Sequence, residues 1–121
     1  MTNLQDTVDK FLIEFPEYNS YYFEHLNDYG EILGHLFFGD CINIKLFNLL
    51  KENTQGTLIR KYITFIEEMF IYGNDAIQNI VYVTILEYLG DDEEVLKNAY
   101  SYFGNELITA SKLIEKQIGR K

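Results

Sequence analysis

Apolar residues recur at helical spacing along almost the whole chain, and no run of strict alternation is long enough to argue for a strand. That pattern restricts the chain to the all-α class. Leu4, Val8, Phe11, Leu12 and Phe15 mark an amphipathic first helix. Pro16 ends it, because the residue before a proline is pushed out of the α region. A second helix opens at Glu17 and Tyr18, carries Tyr18, Tyr21, Tyr22, His25 and Leu26 on one broad face, and closes at Gly30. Residues 31–39, EILGHLFFG, are short and interrupted by glycine, and read as a single turn or a packed loop. Asp40 is expected to cap a third main helix that runs through Leu50.

The second half of the chain repeats this grammar. Residues 53–56 form a polar loop, and Thr57 is expected to cap a helix that stops at Gly73, read as a left-handed C′ residue. Asn74 or Asp75 starts the next helix, which ends at Gly90. Asp91 and Glu94 have the spacing of a capping box for a helix ending at Gly104, and Asn105 is expected to cap the last one. The expectation is a single domain over residues 1–121 with six to seven short helices. Two architectures compete: an irregular bundle, or HEAT-like helical hairpins in the C-terminal half.

Composition narrows the function classes. With 47% hydrophobic and 16% aromatic residues, the chain is no disordered tail. No apolar run approaches the roughly 20 residues that cross a bilayer. The opening MTNLQDTVDK lacks a basic region followed by an apolar one, so it does not read as a secretory signal, and a cytoplasmic protein is the expectation. Charge is −9 and uneven: residues 1–40 hold eight acids against Lys10 alone, whereas residues 107–121 are net basic. Such a balance opposes nucleic acid and anionic membranes and favours a basic protein partner.

No spacing specifies a reaction. His25 and His35, with Asp28, Glu31 and Asp40 nearby, allow a metal site or an acid–base pair, but they match no HExxH-like pattern and are read as structural or surface residues. Cys41 is expected to be a buried, inert thiol, although the start of a helix would stabilise a thiolate. Glu67 and Glu68 are adjacent and point to different sides of a helix. Asp91 to Glu94 suit a helix N-terminus as well as any catalysis. There is no GxGxxG and no P-loop, and the segment Gly34 to Asp40 is too apolar to cradle phosphate. The reading is a non-enzyme without a cofactor. Nine aromatic residues fall between Phe11 and Phe38, in the segment that carries most of the acidity. Not all of Tyr18, Tyr21, Tyr22 and Tyr29 can be buried with satisfied hydroxyls. Exposed tyrosine among carboxylates is the composition of a protein-binding surface.

The strings FPEYNSYYFEHLNDYGEILGHLFFGD and VTILEYLGDDEEVLKNAYSYFG resemble a group of small acidic helical bacterial proteins. Members of that group are encountered as immunity proteins beside polymorphic or contact-dependent growth-inhibition toxins. The resemblance implies a cognate toxin domain, often a nuclease, held inactive in the cytoplasm. On that expectation the contacts are Glu17, Tyr21, Tyr22, Glu24, Asp28 and Glu31, with Asp91, Asp92, Glu93 and Glu94 as a second patch. The other class open to this chain is a HEAT-like adaptor with a different partner.

Overall fold

The computed structural model describes residues 3–120, and these form seven helices and no strand. They are α1 (Leu4–Glu14), α2 (Asn19–Tyr29), α3 (34–52), α4 (Gly56–Tyr72), α5 (75–89), α6 (Glu93–Tyr100) and α7 (Asn105–Gln117). Pro16 closes α1 as expected, and Pro16–Tyr18 is a separate 3₁₀ turn before α2. Gly30 ends α2 in the left-handed region at φ 73°, which glycine enters without a Cβ penalty. Asn74 caps α5 by accepting the Ile77 N–H at 3.0 Å.

Several local expectations are corrected. Residues 34–38 are helical and run without a break into the third main helix, so Asp40 lies inside α3 and caps nothing. The junction, Gly39–Asn43, is a π-helical turn, and α5 contains another at Ile80–Leu86. The two turns face each other. The Asn43 side chain donates to the Thr84 carbonyl at 3.0 Å, a group displaced from regular α pairing, and His35 Nδ1 meets the Thr84 hydroxyl at 2.6 Å. Gly34 lies against α5: a Cβ there would be 2.8 Å from Ile80 Cδ1, so that side-chain end would have to shift. The glycines of this segment, read in sequence as breakers, are therefore contact points between helices.

The remaining corrections concern caps. Gln55, in the left-handed region, precedes α4, and Thr57 caps nothing. Gly73 is extended at φ −79° and ψ 158°. Asp92, one residue after Asp91, caps α6 by accepting from the Glu94 and Val95 amides at 2.9 and 3.0 Å. Gly104 precedes α7, and Glu67 on α4 accepts its N–H at 2.7 Å, where Asn105 was the expected cap.

One buried apolar cluster draws on six of the seven helices, and α2 packs the half-buried Tyr21 and Tyr22 against it. Its aromatic centre is Phe11, with Phe15, Phe37, Phe38 and Phe65 around it, all almost completely buried. The later part of α3 packs on α4 and α6, and α7 packs on α4 and α5. Consecutive α6 and α7 are splayed by an open groove. The arrangement is an irregular bundle, and not two stacked hairpins. Arg120 fastens the end of the chain to the end of α5, donating to the buried Glu115 carboxylate at 2.6 and 2.9 Å, to Asp91 at 2.9 Å and to the Glu87 carbonyl at 2.8 Å.

Candidate protein-binding face

The α2 residues divide by helical phase. His25 is buried, with Tyr21 and Tyr22 half-buried beside it, while Glu24 and Asp28 lie one turn apart on the outer side. The His25 ring sits 4.9 Å from that of Tyr29 and 5.5 Å from that of Phe37. Its Nε2 accepts the Leu33 N–H at 2.9 Å, which pins the α2–α3 connection against α2. The proton of the neutral ring is then on Nδ1, which has no hydrogen-bond acceptor and is enclosed by aromatic rings. A His25 so used is a structural strut. His35 is held elsewhere, by Thr84, and among the described residues no group of three or more His, Cys, Asp or Glu is placed to hold a metal ion.

The tyrosines also divide. Tyr18 and Tyr62 share a hydroxyl–hydroxyl hydrogen bond of 2.7 Å beneath the face. Tyr21 stacks on Phe37 with ring centres 5.8 Å apart and donates its hydroxyl to Asp40, tying α2 to the π turn of α3. Burial first, and then that bond to Asp40, raises the Tyr21 hydroxyl above its ordinary range. Tyr21 is thus a support for Asp40, not a free contact. Tyr22 packs edge-on to Phe37 and to Phe23.

What remains exposed on these elements is unpaired charge together with apolar side chains. Glu17, Glu24, Asp28, Glu31 and Asp40 are all exposed, and among the described residues none has an ion-pair partner. Phe23 is 66% exposed and Tyr29 49%, and Leu33 and Leu36 are also open to solvent. Phe23, Leu33 and Leu36 were missed by the reading from sequence. Phe23 was legible: it lies two residues before His25, roughly 200° around the helix from the buried side. Leu33 and Leu36 were not, since the segment holding them was read as a loop.

The second acidic patch is different in kind. Lys51 pairs with Asp92 at 2.8 Å and with Glu94 at 3.2 Å, and Arg120 pairs with Asp91. Lys51 and two amide donors hold Asp92 below the usual carboxylate range. Only Glu93 of the four lacks an ion-pair partner among the described residues. These carboxylates close the fold around α6, and Lys51 and Arg120 offset about half of their charge.

Cys41 is buried in the π turn of α3, below Asp40 in sequence order and away from any helix start. Desolvation, and then the Asp40 charge, push its thiol from 9.0 up to about 12. A raised thiol means that the unfolded chain ionises first. Folding stability is therefore intact below pH 9.0 and falls as pH rises toward about 12. Burial raises Tyr18, Tyr21 and Tyr62 as well, with the same sign. Iodoacetamide at pH 8 is expected to leave the native thiol unmodified over a period in which the urea-unfolded chain is fully alkylated, as read by mass spectrometry. Equal labelling of both would show the thiol to be accessible.

The described residues make an all-α chain that exposes aromatic side chains and unpaired carboxylates on α2 and α3. The chain belongs to the DUF7674 family, a domain of unknown function, which matches residues 8–119. No curated protein and no solved structure matches it. No helix among the described residues is long and apolar enough to cross a membrane.

Proposed function

We propose that this protein is of the immunity type: it binds a bacterial toxin domain with a basic surface and neutralises it without catalysing a reaction. The observation that carries the reading is the surface of α2 and α3, which exposes five carboxylates without cationic partners among the described residues together with Phe23, Tyr29, Leu33 and Leu36. A nuclease toxin has a basic substrate groove. Carboxylates presented on a rigid helix imitate its phosphates and steer the encounter, and the exposed apolar side chains hold the complex once water leaves. The resemblance of residues 15–40 and 83–104 to toxin-associated immunity proteins supports the same partner class. Glu24 and Asp28 make the first contacts, and Tyr21 acts through Asp40.

Inducible expression of a toxin domain captured on this chain as a stoichiometric, salt-released partner, with and without the chain, tests the reading. Growth restored by the chain, and lost again with Glu24→Lys/Asp28→Lys, is the expected outcome. Arrest that the chain does not relieve would sink immunity and leave the adaptor.

A further inference from the structure

We propose that the groove between α6 and α7 binds a small organic anion that joins an apolar body to two or more negative charges. The groove encloses about 1000 Å³, a size that suits a small ligand. Leu96 and the half-buried Tyr100 form its floor. Lys97 of α6 stands on one wall, with Lys112 and Lys116 of α7 on the other, and their aliphatic stems extend the apolar lining. Arg120, at the end of the groove, is already committed to Glu115, Asp91 and the Glu87 carbonyl. The three lysines are not: among the described residues none has an ion pair or a hydrogen bond.

In a chain of charge −9, unpaired lysines gathered in one groove run against the rest of the surface. Lys112 and Lys116 are one turn apart on α7, a spacing at which like charges repel. Lys97 adds a third charge on the same groove, and Glu93 is the one groove carboxylate outside the Arg120 network without a cationic partner among the described residues. A ligand with two separated charges relieves that repulsion, and an apolar body covers Leu96 and the Tyr100 ring. The Tyr100 hydroxyl is hydrogen-bonded to Ser111 at 2.9 Å, which fixes the ring as part of the floor. A long polyanion is disfavoured by the acidic surface beyond the groove. This site is independent of the α2–α3 face and of the toxin reading.

The probe is bis-anilinonaphthalene sulfonate, which carries two sulfonates on an aromatic body, titrated into the full chain by fluorescence. One saturable site is expected, with affinity about tenfold or more weaker in Lys112→Glu/Lys116→Glu. The milder Lys112→Gln/Lys116→Gln, expected to weaken binding in the same direction, covers any loss of folding in the reversal, with circular dichroism as the check. Lys45→Glu/Lys61→Glu makes the same charge change elsewhere and should leave affinity unchanged. No saturable site, or equal weakening by the two reversals, would overturn the proposal.

Discussion

Phe11→Ala is expected to remove about 3–5 kcal/mol of stability, the range for truncating a fully buried phenylalanine. Phe11 is 0% exposed, with the rings of Phe15, Tyr18, Phe37, Phe38 and Phe65 centred 4.9 to 6.1 Å away. Those rings come from the C-cap of α1, the 3₁₀ turn, α3 and α4, so no single helix can move to fill the void. Domains of this size have about 5–15 kcal/mol in total, and the loss should lower the melting temperature by roughly 10 °C or more. Urea unfolding followed by circular dichroism measures it as a lower midpoint. Phe23→Ala is the matched control: at 66% exposure it should change stability by about 0.5 kcal/mol or less. A small loss at Phe11, or a large one at Phe23, would show the aromatic centre to be misplaced.

The second large effect is kinetic. Reversing Glu24 and Asp28 to lysine changes the charge of the α2–α3 face by four units and leaves the core untouched. Electrostatic steering raises association rates by about 10- to 1000-fold, so the reversal is expected to slow association with the basic toxin domain by about tenfold or more at low salt. The gap should shrink as salt rises, because screening shortens the Debye length to about 3 Å at 1 M. Stopped-flow mixing over a salt series reads both quantities. Glu93→Lys adds two charge units at α6, outside the α2–α3 face and in a patch whose other three carboxylates are ion-paired with Lys51 and Arg120, and it should slow association much less. Equal slowing at both sites would mean that net charge, and not this face, drives the encounter.

The helices were legible in the sequence because each carries its own apolar stripe, and Pro16 and Gly30 end helices by their backbone chemistry alone. The π turns were not legible. They depend on Asn43 reaching the Thr84 carbonyl and on Gly34 lying against Ile80, contacts between residues 41 or more positions apart. The error over residues 31–39 follows from that, since glycine was read as a break where it serves as a point of close packing. The acidic character of α2 was visible, whereas its separation from the patch at Asp91 to Glu94 was not: Lys51 and Arg120 reach those carboxylates only in the folded chain. That Tyr21 donates to Asp40 was not legible, because its partner comes from another helix.

The hydroxyl of Tyr21 resting on the Asp40 carboxylate gives the α2–α3 face a built-in optical reporter. A phenol becomes far more acidic in its excited state, and a carboxylate in contact takes its proton and dims its emission. The chain contains no tryptophan, so its ultraviolet light comes from tyrosine alone. A partner cation that draws Asp40 away from Tyr21 would brighten that emission. A partner tryptophan would add a separate, red-shifted band against a dark background, and occupancy of the face could be followed without a label.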